Sequence, residues 1–362
     1  MSSLVMRESM RSVGVILVIA NSFRGGVGCV SIGVFQMDKV LELTALTKHY
    51  PGHRALNGIS LSIAHGEFFS LVGPSGCGKT TTLRLIAGFE EPTSGEILLG
   101  NRSVAGLKPY KRDVSTVFQN YALFPHLTVA QNIAFGLERR MPRMNRTAIR
   151  EKVNEMVALV QLSGKESRLP SQISGGERQR VALARSLALQ PEVLLLDEPL
   201  SALDPNLRKQ MRMELKSLQR RLGIAFLFIT HDQEEALSLA DRMAVMNRGL
   251  LEQIGSPREL YLQPRSRFVA EFLGDVNWVN GAAVRPEAVR VSRARPQEEV
   301  RTLSALVESA TFLGNCVQLR TRLSGGEYCT AEISQGDAIF APGDAVHVWW
   351  RRADELPIPE QA

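Results

Sequence analysis

Residues Leu71 to Thr81 read LVGPSGCGKTT. Gly73, Gly78, Lys79 and Thr80 keep the spacing G-x-x-x-x-G-K-S/T, with Pro74, Ser75, Gly76 and Cys77 between them and Thr81 following. The chemistry this permits is narrow. Several backbone N–H groups must turn inward to wrap a polyphosphate, and side chains obstruct the conformations needed. The helix that follows adds the partial positive charge of its N-terminus. Lys79 can neutralise the outer phosphates, and the Thr80 hydroxyl can ligate Mg²⁺. An unrelated glycine turn with a surface lysine is the competing explanation, but strand, loop and helix occur here in the required order.

Two acids, Asp197 and Glu198, end the run VLLLDEP. An aspartate at the tip of a buried strand can hold the Mg²⁺ of such a site. The glutamate beside it points to the other side of the strand, where it can polarise a water for in-line attack. Gln172 to Arg180 reads QISGGERQR and supplies a second glycine-rich helix start, hence a second anion-binding end. One nucleotide does not need two cradles from one chain. Ser174, Gly175 and Gly176 are therefore expected to serve the nucleotide of a second copy.

These groups need strands and helices to carry them. Phe68 to Val72 reads as a strand before the glycine loop, and a helical pattern runs from the loop to Gly88. EVLLLDEP and IAFLFITHD are continuously apolar before their acids, as strands buried on both faces of a parallel sheet are. Between about residues 120 and 172 lies a helical region, in which Ile149, Val153, Met156, Val157 and Val160 recur at helical spacing. After about Leu273 the period changes to two. Val317, Leu319, Thr321 and Leu323 face one way, and Gln318, Arg320 and Arg322 the other. The expected fold is α/β: a P-loop NTPase with a helical subdomain, plus a small all-β domain.

Composition limits the alternatives. The 362 residues carry a net charge of +6 without a basic block, which argues against a nucleic-acid partner. Cys29, Cys77, Cys316 and Cys329 form no CxxC pair, arguing against a zinc site, and the size of the chain with Cys77 inside the glycine loop argues against a disulfide framework. Arg7 and Arg11 precede the apolar Val13 to Ala20, which faintly resembles a signal peptide. That run is far short of the roughly 20 residues a spanning helix needs. Residues 1–37 are expected to be a disordered or mis-called extension, because regular patterning starts after Met37.

Taken in order, the motifs resemble the nucleotide-binding subunit of an ATP-binding cassette (ABC) transporter, of the importer type with a C-terminal OB-like regulatory domain. The resemblance covers roughly Val40 to Arg352. It implies that Tyr50 in TKHYPGHRAL stacks on adenine and that Gln119 in VFQNYALFPHLTV senses Mg²⁺ and faces the membrane partner. It implies that Ser174 to Gly176 cap the opposite subunit's ATP, and that Asp204 in SALD makes a dimer contact. Asp197 would hold Mg²⁺, Glu198 would be the catalytic base, and His231 in ITHD would contact the γ-phosphate with Lys79. ATP and Mg²⁺ are the implied ligands. The implied partners are a second copy, two integral membrane permease subunits and, indirectly, a periplasmic solute-binding protein, at the cytoplasmic face of the inner membrane.

The implied domains are 38–273 for the ATPase, 274–352 for the OB-like domain and 353–362 for a disordered tail. Two departures stand out. The signature has Ile173 and Glu177 where Leu and Gln are commoner, and FLGDVNWVNGAAVRPEAVRV runs almost directly to Arg285–Glu287, so the OB-like domain reads as shortened by its first strands. The branch serves iron(III), polyamines, oxyanions and phosphonates, and FLGDVNW with a shortened domain tilts towards phosphonate. Competing classes are a repair or translation ATPase and an ATP-holding regulatory module. The short interval between the loop and the signature, the single cassette, and the intact Glu198 and His231 weigh against them.

Overall fold

The computed structural model describes residues 38–139, 142–297, 299–336 and 339–358; the N-terminal extension and Cys29 lie outside them. In chain order come β1 (Lys39–Tyr50), β2 (His53–Ala64), β3 (Phe68–Val72), α1 (Lys79–Ala87), β4 (Ser94–Leu99), β5 (Arg102–Ser103), β6 (Val114–Val117), α2 (Val129–Leu137) and α3 (Arg146–Leu159). Then follow α4 (Gly175–Leu187), β7 (Val193–Asp197), α5 (Pro205–Leu222), β8 (Ala225–Thr230), α6 (Gln233–Leu239), β9 (Arg242–Asn247), β10 (Leu250–Gly255), α7 (Pro257–Leu262) and α8 (Arg267–Leu273). The last part holds β11 (Asn277–Val279), β12 (Ala282–Val284), β13 (Arg290–Ser292), β14 (Arg301–Phe312), β15 (Val317–Leu323), β16 (Tyr328–Ile333) and β17 (Ala345–Trp350).

The central sheet has the order β10-β9-β3-β8-β7-β6 and is parallel except for the β9–β10 hairpin. Its strands are covered on both faces, which is why FFSLV and VLLL carry no polar alternation. The period of two still sorts their side chains. Phe68, Leu194, Leu196, Phe226 and Phe228 pack towards the helices. Phe69, Leu71, Leu195 and Leu227 pack towards α1 and a second, antiparallel sheet of order β2-β1-β4-β5. Upstream of β3, β1 and β2 form a hairpin of two 12-residue strands.

Helices α2, α3 and α4 form the helical region. The expected stripe on α3 is realised: Val153, Met156, Val157 and Val160 are buried, and Ile149 packs against the same cluster. Asparagine 145 caps α3, and a Thr128–Gln131 capping box opens α2. No helix of the described residues is long and apolar enough to cross a membrane.

The C-terminal sheet has the order β13-β17-β14-β15-β16 and closes over Val307, Leu319, Val348 and Trp350. On β15, Leu319, Thr321 and Leu323 are buried while Arg320 and Arg322 are exposed, as the alternation predicts. Two expectations are corrected here. The interval read as lacking strands holds the β11–β12 hairpin, whose three-residue strands are too short for a readable period. Its signal is the turn Asn280-Gly281, with φ of 47° and 72°, the left-handed pair a two-residue hairpin turn requires. The part of the tail that is described, 353–358, is also ordered: Leu356 is buried beside Ala270 and Ala283, and its N–H donates to the Ala283 carbonyl at 2.8 Å; residues 359–362 lie outside the described residues.

Candidate active site

Strand β3 delivers the chain directly into the glycine loop, and α1 begins at Lys79. Gly78 is the N-cap of α1 with φ 113°, and a Cβ there would come 2.7 Å from the Ala55 carbonyl oxygen. Only glycine combines that backbone with that contact. No side chain caps α1 and no acid lies in its first turn, so its N–H groups remain open to an anion. Lys79 is 5% exposed, and its ammonium donates to the carbonyls of Gly73 (2.7 Å) and Pro74 (2.9 Å). Cys77 is buried beneath the loop, with Sγ 3.7 Å from that ammonium; burial pushes its thiol pKa up, against the pull of Lys79.

A cavity of about 330 Å³ opens above the loop, lined by Tyr50, His53, Ala55, Ser75, Gly76, Gly78, Lys79, Thr80, Thr81 and Glu198. Tyr50 reaches it from the tip of the β1–β2 hairpin, where it pairs with His53. Gly73, Pro74 and Cys77 shape the loop from behind without lining the cavity. Asp197 does not line the cavity but stands beside Thr80, with Oδ1 3.5 Å from the threonine hydroxyl. Burial, then the neighbouring Glu198, raises the Asp197 pKa. A half-buried carboxylate with one distant hydroxyl partner fits a hard cation. The oxygen set suits Mg²⁺, which takes one or two carboxylates together with substrate phosphates.

The parallel strands β6, β7 and β8 end side by side, which brings three distant residues together. Gln119 follows β6, Glu198 follows β7 and His231 follows β8. His231 Nδ1 lies 3.0 Å from Glu198 Oε1, and Gln119 Nε2 lies 3.4 Å from Glu198 Oε2. Glu198 has a φ of 45°, held by its N–H donating to the Ile229 carbonyl at 3.0 Å. A non-glycine residue in that region stores backbone strain and re-aims its side chain away from the strand. Ser201, which the sequence did not single out, completes the chain. It donates to the Glu198 carbonyl at 2.8 Å and accepts from Gln119 at 3.2 Å.

Ser174, Gly175, Gly176 and Asp204 do not line this cavity. They sit at two other helix starts. Ser174 forms a capping box with Glu177: Glu177 N–H donates to Ser174 Oγ at 3.3 Å, and Ser174 N–H to Glu177 Oε2 at 2.8 Å. The Glu177 carboxylate also pairs with Lys165, which with the Ser174 N–H holds its pKa below the ordinary range. Asp204 caps α5, accepting from the Leu207 N–H at 3.0 Å.

A phosphate-binding loop between a central parallel strand and a helix, with two acids at the carboxyl end of β7 in the same sheet, defines a P-loop ATPase, here carrying a small C-terminal β domain. Residues 56–201 match the family model described as ABC transporter, and residues 282–356 match the TOBE domain. Curated relatives named spermidine/putrescine import ATP-binding protein PotA are 44% identical in Acidothermus cellulolyticus (85% of this chain, 92% of that one) and 45% in Bacillus cereus (89% and 100%). One from Ruegeria pomeroyi is 56% identical over 72% of this chain and 71% of its own. Among solved structures, the ATP-binding cassette MJ0796, a dimer in a post-hydrolysis state bound to ADP and Pi, is similar with TM-score 0.54 and 31% identity, covering 60% of this chain and 99% of that one. The cbiO1 protein from Clostridium perfringens, part of the transporter complex cbiONQ, gives TM-score 0.58 and 30% identity, covering 62% and 90%. The chain belongs to the ABC transporter family. It is the ATP-binding, ATP-hydrolysing subunit of an importer.

Proposed function

We propose that two copies of this chain close head to tail on two ATP molecules and so drive uptake of a polyamine through separate membrane subunits. The observation that carries the first half is the separation of the two glycine-rich helix starts. The loop at α1 lines the cavity with Tyr50 and Glu198, while Ser174 to Gly176 stand outside it at α4. In this reading the open N–H groups of α1 and Lys79 bind the phosphates, and Tyr50 stacks on adenine. The partner copy's Ser174 loop caps the γ-phosphate, with Asp204 at the dimer seam.

Glu198 accepts a proton from the attacking water, and its ties to His231 and Gln119 fix its aim. His231 and Lys79 stabilise charge that develops on the γ-phosphate. Thr80, Asp197 and Gln119 are the residues that would hold Mg²⁺, which would offset negative charge on the phosphates. The dimeric state of the MJ0796 cassette supports the pairing. The names of the relatives support import of spermidine or putrescine; two permease subunits as partners and a peripheral position at the inner membrane rest on the family resemblance alone. Nothing in those names supports the phosphonate expectation. The test is uptake of labelled spermidine by cells lacking this chain. Uptake is expected to return with the intact chain and not with Glu198→Gln. Undiminished spermidine and putrescine uptake without the chain would refute the cargo assignment.

A further inference from the structure

Glu90 belongs to no motif and does not line the cavity, yet two elements converge on its carboxylate. From β1, the Tyr50 phenol donates to Oε2, and the Lys48 ammonium stands 3.4 Å from the same oxygen. From α1, the Arg84 guanidinium lies 3.5 Å from Oε1. Lys48 also donates to the Glu91 carbonyl at 2.8 Å and holds its ammonium 5.1 Å from the Tyr50 ring centroid. The loop bearing Glu90 is itself fixed. Gly88 closes α1 with φ 81°, and the Phe89 N–H donates to the Arg84 carbonyl at 2.9 Å.

We propose that Glu90 is a positioning residue for the nucleotide: it holds the Tyr50 ring as a fixed shelf for the base. The inference rests on the reading of Tyr50 as the stacking residue. An aromatic side chain at a hairpin tip has free torsions, and ordering it in advance removes that cost from binding. The anchor also sets a distance. Helix α1 starts in the phosphate loop at Lys79 and ends beside the Glu90 loop, so one short rod spaces the base shelf from the phosphate cradle. Burial and Glu90 raise the Tyr50 pKa, which keeps the phenol a donor. Burial opposes ionisation of Glu90, but its bonds from Tyr50 and Lys48 outweigh that and hold its pKa down. The pair therefore keeps a charged acceptor and a neutral donor across the neutral range.

The test is calorimetric affinity of the purified full-length chain for ATP and, separately, for inorganic tripolyphosphate, which meets the cradle but not the shelf. Glu90→Ala is expected to weaken ATP about three- to tenfold and leave tripolyphosphate within about twofold. Tyr50→Phe, which keeps the ring and removes the tie, should lose a similar factor. The double variant should lose no more than either single one. Glu90→Gln, which keeps an acceptor, should recover part of the loss. An unchanged ATP affinity in Glu90→Ala, an additive double variant, or an equal loss for tripolyphosphate would each overturn the inference. Tyr50→Ala separates the two readings. If it weakens ATP while Glu90→Ala does not, the anchor alone fails; if it leaves ATP unchanged, the stacking role fails and the anchor with it.

Discussion

Helices α1 and α4 both begin beside glycines, and they begin differently. Helix α1 has no side-chain cap, no acid in its first turn, and a buried lysine at its first position. Helix α4 caps itself through Ser174 and Glu177 and carries that acid in its first turn. The first start offers an anion unpaired N–H groups and a cation from the same chain. The second has satisfied part of its own demand and placed a negative charge nearby, compensated by Lys165. A phosphate gains much at α1 and little at α4. An end built this way adds to binding only where the other end has already placed the phosphates. That asymmetry orders the proposed cycle: ATP joins one copy first, and the second copy closes afterwards.

Each half of the contrast can be attacked separately. The largest effect is expected at the point where both halves meet the water. Glu198→Gln should lower phosphate release about 10²- to 10⁴-fold while leaving ATP binding in place; unaltered turnover would remove Glu198 from the role of base. Next is Lys79→Ala, which should weaken ATP about 10- to 150-fold by calorimetry, as loss of a charged partner in a buried site does. Ser174→Arg should leave the affinity of the single chain for ATP within about twofold, since its site lies outside the cavity, yet abolish ATP-driven pairing seen by light scattering. A matched loss of affinity would erase the distinction between the two helix starts.

The smallest effect tests the compensation at α4. Lys165→Ala should weaken ATP-driven pairing about two- to fivefold, the scale of an exposed ion pair. The sign of its pH dependence follows from Glu177. A carboxylate whose folded pKa is depressed contributes above its unfolded pKa and loses that contribution as pH falls through the folded one. The order of α4 should therefore fade on the acid side, and Lys165→Ala should move that loss to higher pH, measured by helix content in an acid titration.

Much of the ATPase was readable because its strands are apolar on both faces. FFSLV, VLLL and AFLFI announce buried parallel strands, and the glycine spacing before Lys79 dictates a loop whatever surrounds it. Reading failed where a role depends on a partner far along the chain. Glu90 looks like a surface acid until β1 brings Tyr50 to it across 40 residues. Ser201 gains its place only when Gln119 arrives from β6, and Lys165 only when α4 turns Glu177 towards it. The β11–β12 hairpin was legible after all in Asn280-Gly281, but its strands are shorter than the window a period needs. The described end of the chain is held by contacts with distant residues, among them Leu356 against Ala270 and Ala283 and Glu355 against Arg301.

The central claim is that the ATP site is completed by a second copy of the chain. Sedimentation equilibrium of the purified Glu198→Gln variant with ATP and Mg²⁺ tests it most directly. The expected result is a species of twice the chain mass that reverts to single chains when ATP is removed or Ser174→Arg is added to the same chain. A single-chain mass at saturating ATP, or a dimer indifferent to both ATP and Ser174, would contradict it.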